Sequence, residues 1–349
     1  MEQLKTTAEA ERKLLLQTTG LSIGYKQGRN NLKEVATGLN LEMFAGEVIC
    51  LLGPNGCGKS TLLRTIAGLQ ETVLGTVEIE GTELGQLKPA LLAKKISMVL
   101  TDNVRSGDLD VYSLIALGRY PHSGWLGRLT TEDKSVIDQA ILSTATGEFV
   151  DRKLATLSDG ESQKVMLARA IAQDTPIIIL DEPTAHLDLP SRIQLMRLLH
   201  RLAKDTKKAI LISTHELDLA LQVADQIWLM QAGGHMATGL PEELVLNGSF
   251  AEAFNKDGIM FDPATGSFNM HASGVKSITV NGDGTAAFWT RKALLRKGFH
   301  ISGAQKESLA VTVLENAGQP RWTLEKDRKI TTYHTLRDFL KNVNLIEPT

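Results

Sequence analysis

The chain has 349 residues, more than one ordinary domain needs, and its 42% apolar and 22% charged residues are the balance of a globular protein. A net charge of −2 supplies no global attraction for nucleic acid or an anionic membrane. The charged N-terminus MEQLKTTAEAERKLLLQTTG shows no signal peptide and no segment is apolar enough to span a bilayer, so any membrane role is expected to come through a partner.

Residues 13–25, KLLLQTTGLSIGY, read as a strand with a bend at Gly24 and an end at Tyr25. ATGLNLEMF and GEVICLL, split by Ala45-Gly46, read as further strands, the pattern of an antiparallel β-layer leading into a buried strand. That strand runs into GPNGCGKST, Gly53 to Thr61, which matches the phosphate-loop pattern G-x-x-x-x-G-K-[ST]. Gly53, Gly56 and Gly58 let successive N–H groups turn inward, with Pro54, Asn55 and Cys57 completing the loop. The following TLLRTIAGL reads as a helix whose positive end faces the same point. Lys59 can then reach β- and γ-phosphates, Ser60 can ligate Mg²⁺, and Thr61 is placed for the α-phosphate. The two cysteines, Cys50 in the strand and Cys57 in the loop, suggest no disulfide framework and fit a reducing compartment. TVEIE between Gly75 and Gly81, and ISMVL at 96–100, read as strands.

From about Asp102 to Ala172 strand patterns give way to helical spacing, in DVYSLIALGRY and in TEDKSVIDQAILSTA, the latter capped by Thr130 or Thr131. LSDGESQ, with Ser158 and Gly160 at a helix entrance, opens ESQKVMLARAIAQ. IIILDEP (177–183) is an unalternating apolar strand, as suits burial on both faces, and ends in Asp181 and Glu182. Ligands bind at such carboxyl ends, although an Asp-Glu pair alone is more often a solvated strand end. AHLDLPSR turns into the helix SRIQLMRLLHRLAKD, with Pro190 in its first turn. AILIST is the next buried strand and ends at His215, by itself an ordinary surface or capping histidine. QIWLMQAGGHMATG reads as a hairpin turning at Gly233-Gly234.

Taken in order, these five motifs resemble the nucleotide-binding subunit of ABC transporters over about residues 12–248. GPNGCGKST resembles Walker A, IIILDEP Walker B, LSDGE the LSGGE signature, AHLD the D-loop, and His215 the switch histidine. Residues 111–128, VYSLIALGRYPHSGWLGR, resemble the matching segment of ATPases that power uptake of ferric siderophores, haem and cobalamin. The fold so implied is an α/β P-loop cassette: a RecA-like core, an antiparallel β-layer and a helical subdomain over about 102–172. Implied contacts to ATP come from Tyr25, stacked on adenine, from the loop residues Gly53 to Thr61, and from Ser158, Gly160 and Glu161 of a second copy. Glu182 would be the general base, His215 would contact the γ-phosphate, Lys59 would neutralise developing charge, and Ser60, Asp181 and Thr101 would face Mg²⁺. The implied partners are a second copy in an ATP-sandwich dimer, permease subunits and, indirectly, a substrate-binding protein, with no nucleic acid. The implied location is peripheral, on the cytoplasmic face of the inner membrane. The competing reading is a non-transport ABC ATPase with a regulatory C-terminal domain.

Two positions depart from the family pattern. Asp159 stands where the LSGGE signature has a glycine before the position of Gly160, and Thr101, in MVLTDN, stands where the family has the Q-loop glutamine. Thr101 is two bonds shorter than glutamine, so either a bridging water extends its reach or Asp102 replaces it.

The transporter pattern ends near Gly248, and residues 249–349 are expected to form an accessory α+β domain. FDPATGSF reads as a linker or hairpin, KSITVNGDG as strand and turn, and FWTRKALLRKG as a helix closed by Gly298. LAVTVLENAGQPRWTLEK reads as two strands around a glycine turn, and LRDFLKNV as an amphipathic helix. Gly282-Asp283-Gly284 lacks the third glycine of a dinucleotide loop and is read as a connecting turn.

Overall fold

The computed structural model describes residues 12–26, 32–100, 108–124, 127–185, 187–255, 259–270, 276–302, 309–316, 319–327 and 329–344. They form two compact units, Met1–Ala253 and Phe254–Thr349. Among the described residues no helix is long and apolar enough to cross a membrane.

In the first unit, the unbroken apolar runs form strands buried along their whole length, Val48–Leu52, Ile177–Asp181 and Ala209–Ser213. The six-stranded sheet runs Met236–Gly239, Gln226–Met230, Val48–Leu52, Ala209–Ser213, Ile177–Asp181, Ile96–Val99. All neighbours are parallel except the hairpin pair at the first edge. A second, antiparallel layer has the order Leu32–Leu39, Leu14–Lys26, Leu74–Ile79, Thr82–Glu83, with Glu42–Phe44 also paired to the long strand. That long strand does not end in a bend at Gly24. Its pairing shifts there by an irregularity and continues through Tyr25↔Lys33. The strands approach so closely that a Cβ on Gly24 would sit 2.5 Å from the Lys33 carbonyl oxygen. The helix Lys59–Ile66 contributes Leu62, Leu63 and Ile66 to one core with Leu16 and Leu21 of the β-layer and Leu51 and Ile179 of the parallel sheet. Each such side chain contributes about 1.5–3 kcal/mol by leaving water, which anchors the start of the helix rigidly.

The helices Val111–Ala116, Thr131–Thr144 and Asp159–Ala172 occupy the predicted helical stretch. Thr130, not Thr131, caps the second of these, in a reciprocal box with Asp133. The buried Arg119 donates to Asp133 Oδ1 at 2.8 Å and to the Ala172 carbonyl at 3.0 Å, which ties the three-helix region together. The Thr130 N–H, followed by the Arg119 guanidinium, holds the Asp133 carboxyl down to about 2.

The second unit has a five-stranded sheet ordered Phe299–Ser302, Lys276–Asn281, Leu309–Asn316, Gln319–Lys326, Lys329–Tyr333. Its first two junctions are parallel and the rest antiparallel. Ile278, Val311, Val313 and Leu324 share a core with Leu294 and Phe339 from the helices Gly284–Arg296 and Leu336–Asn344. Trp322 Nε1 donates to Thr290 Oγ1 at 2.7 Å inside it. The FDPATGSF segment is the turn of a hairpin, Ile259–Asp262 with Ser267–Met270. Gly282-Asp283-Gly284 connects a strand to a helix that begins at Gly284, earlier than the pattern predicts.

Candidate active site

The phosphate loop leaves the strand Val48–Leu52 in backbone conformations that demand glycine, with φ 152° at Gly53 and 114° at Gly58. Neighbours also close on it: a Cβ at Gly53 would lie 2.3 Å from the Met230 carbonyl oxygen, and one at Gly58 would lie 2.1 Å from Val35 Cγ1. Asn55 and Gly56 form the exposed tip. Lys59 is almost wholly buried, and its ammonium donates to the carbonyls of Gly53 at 2.8 Å and Pro54 at 3.2 Å. The cation is thus held across its own loop. Burial pushes the Cys57 thiol up, against the opposing pull of that ammonium. Thr61 is half-buried as the third residue of the helix, where its carbonyl accepts from Thr65 Oγ1.

The sheet brings the other motifs to this loop. The strand that ends before His215 lies between the phosphate-loop strand and the carboxylate strand, with Leu51 and Asp181 both paired to Ser213. Ser60 Oγ and Asp181 Oδ1 face each other at 3.5 Å. Glu182 follows with φ 49°, the left-handed region, a strained conformation for a non-glycine residue. His215 Nδ1 lies 3.7 Å from Glu182 Oε2, and its Nε2 lies 3.7 Å from Glu216 Oε1. Glu216 is itself paired with Arg192. A lysine ammonium, two adjacent carboxylates and an imidazole therefore converge at one sheet edge.

Ser158 and Glu161 lie on the helical region, where Ser158 caps the helix Asp159–Ala172. The Ser158 N–H and Oγ–H both donate to Glu161 Oε2, at 2.8 and 2.9 Å, and Arg152 pairs with Oε1 at 2.9 Å. Those hydrogen bonds, the Ser158 N–H foremost, hold the Glu161 carboxyl below its usual range. At Gly160 an added Cβ would meet Leu187 Cδ2 at 3.6 Å, an ordinary contact distance. Tyr25 stands on the long strand of the β-layer, two-fifths exposed, with the Lys33 ammonium 5.8 Å from its ring centroid. Thr101 and Asp102, and His186 of the AHLD turn, lie outside the described residues.

Ser213 is the residue that the sequence reading passes over. Its hydroxyl donates to Asp181 Oδ1 at 2.5 Å and accepts from the Glu182 N–H at 2.9 Å. The available signal is a small polar residue at the end of an otherwise apolar strand. The facing hydroxyl of Ser60 and carboxylate of Asp181 are hard oxygen donors, a set that suits Mg²⁺. Among the described residues no cluster of three or more His, Cys, Asp or Glu offers an alternative metal cage.

Residues 36–185 match the family described as ABC transporter, and residues 275–344 match the one described as iron ABC transporter C-terminal domain. An uncharacterized ABC transporter ATP-binding protein of Methanocaldococcus jannaschii is 36% identical over 276 residues, covering 78% of this chain and 93% of that protein. The iron(3+)-hydroxamate import ATP-binding protein of Bacillus subtilis is 32% identical over 251 residues, covering 72% and 91% respectively. The cobalamin import ATP-binding protein of Halobacterium salinarum is 33% identical over 265 residues, covering 74% and 66%. Among solved structures, a dimeric ATP-binding cassette bound to ADP and Pi superposes with a TM-score of 0.58 at 24% identity, over 65% of this chain and 99% of that one. That likeness bears on the fold.

Proposed function

The chain belongs to the ATP-binding proteins of ABC transporters, and from that premise we propose that it is the ATP-hydrolysing subunit of an importer for an iron chelate, haem or cobalamin. The observation that carries the cargo class is the pairing, in one chain, of the cassette with a C-terminal segment matching the iron-transporter domain family. The names of the Bacillus and Halobacterium relatives point the same way.

In this reading Tyr25 stacks on adenine, and Gly53, Pro54, Asn55, Gly56, Cys57, Gly58, Lys59, Ser60 and Thr61 wrap the phosphates. Mg²⁺ would be held by Ser60 and, through water, by Asp181, with Thr101 nearby, and would supply charge neutralisation to the phosphates. Glu182 orients the attacking water and accepts its proton. His215, a short step from Glu182, holds the γ-phosphate. Lys59 exchanges its loop carbonyls for β- and γ-phosphate oxygens. Ser158, Gly160 and Glu161 of a second copy close over the nucleotide in a two-fold dimer. Permease subunits turn closure and reopening into transport at the cytoplasmic face of the membrane. The test is affinity purification of the tagged chain from detergent-solubilised membranes, followed by ATP-driven uptake of radiolabelled ferric chelate and cobalamin into proteoliposomes. A co-purifying multi-spanning protein and uptake are expected. Recovery with ribosomes or nucleic acid instead would favour the non-transport alternative.

Residues 249–349 are proposed to be accessory to this chemistry. Phe250 is fully buried and falls in the first unit, which supports making the cut after Ala253. A chain ending at Ala253 is expected to stay soluble, bind ATP and hydrolyse it within a few-fold of the parent rate. Thermal unfolding and phosphate release check this, and an insoluble product would make the second unit part of the catalytic core.

A further inference from the structure

Ser213 ends the strand between the phosphate loop and the carboxylate pair, and it is completely buried. A hydroxyl carries one donor and accepting lone pairs, and here both kinds are in use. The proton goes to Asp181 Oδ1, the same oxygen that faces Ser60 Oγ. A lone pair takes the Glu182 N–H, which also points at the Ser213 carbonyl at 3.2 Å. Glu182 is the residue held at φ 49°. Such a conformation persists only where the surroundings over-determine it, and these two bonds to Ser213 do so at the point of strain. A valine or alanine would fill the strand end and keep the carbonyl acceptor, but could supply neither of the two bonds the hydroxyl makes.

We propose that Ser213 is a positioning residue for ATP hydrolysis, clamping the Asp181 carboxylate toward Ser60 and pinning the Glu182 backbone, so that the metal ligand and the general base share one geometry. The inference rests on the roles proposed above for Asp181 and Glu182. It also explains how two adjacent residues at a strand end serve different partners. Asp181 remains in the pleat, while the left-handed turn swings Glu182 out of the strand path toward His215.

The test compares Ser213→Ala, Ser213→Cys and Ser213→Thr in the full chain. Loss of an outer-shell partner typically costs about 10–100-fold in metal affinity or activity. Ser213→Ala is therefore expected to lower kcat by that factor while leaving KM for ATP within a few-fold. Mn²⁺ affinity, followed by electron paramagnetic resonance in the presence of a non-hydrolysable ATP analogue, is expected to fall about tenfold in the same variant. Ser213→Thr, which keeps the hydroxyl on a strand-favouring residue, should restore both, and Ser213→Cys, a weak donor of similar size, should lie between. Readings are taken below the unfolding transition of every variant. Parental kcat and Mn²⁺ affinity in Ser213→Ala would overturn the proposal, as would equal losses in the alanine and threonine variants that track their Tm. Glu182→Gln is assayed alongside. If it loses turnover while Ser213→Ala does not, the clamp alone fails; if it keeps turnover, the site reading fails with it.

Discussion

Glu182→Gln is expected to lower ATP turnover by roughly 10²-fold or more, the usual worth of a positioned general base, while ATP binding persists. That loss corresponds to at least about 2.7 kcal/mol of transition-state stabilisation. The substitution is informative because the backbone of residue 182 is held from outside its side chain. Both the hydroxyl and the carbonyl of Ser213 take its N–H. Glutamine keeps the size and the left-handed conformation and removes only the basic oxygen. With hydrolysis blocked and ATP still bound, the closed dimer should accumulate. Sedimentation with ATP and Mg²⁺ should then show a dimer that the parent forms only transiently. Turnover near the parent rate would sink the assignment of the base, and loss of ATP binding would show that the variant had disturbed the loop instead.

Lys59→Ala is expected to weaken ATP binding and turnover together. The Lys59 ammonium is buried, with two carbonyls of its own loop as acceptors. Hydrogen bonds to charged groups contribute about 1.5–3 kcal/mol each, so losing contacts to two phosphates should raise the Kd for ATP by roughly 10²-fold or more, measured by calorimetry. Removing the ammonium also leaves the Gly53 and Pro54 carbonyls short of a donor, so a modest fall in Tm is expected even without nucleotide. Lys59→Arg should not rescue, since a planar guanidinium does not fit the space of a compact ammonium inside a closed loop. Undiminished ATP affinity in the alanine variant would contradict the phosphate-loop reading.

Much of the local structure around the candidate site was legible in the chain because its determinants are local. The loop GPNGCGKST needs glycine at Gly53 and Gly58 for backbone reasons that hold wherever the loop sits. The caps Thr130 with Asp133 and Ser158 with Glu161 join residues three apart, within reach of pattern reading. The runs VICLL, IIILD and AILIS are buried in full, as unalternating strands of a covered sheet must be. What the tertiary structure decided involves partners far apart in sequence. No periodicity announces that the His215 strand inserts between the phosphate-loop strand and the carboxylate strand, and it is this order that makes Ser213 a neighbour of both. Glu182 at φ 49° follows from that pairing and not from any turn signal in DEP. Arg119 looks like a surface residue of ALGRY until Asp133 and the Ala172 carbonyl enclose it. The strand Lys329–Tyr333 escaped because it is an exposed edge with almost no apolar alternation, recognisable only by its pairing to Gln319–Lys326. Local periodicity and backbone preference are written along the chain, whereas strand order and long-range hydrogen-bond partners exist only once the sheet has formed.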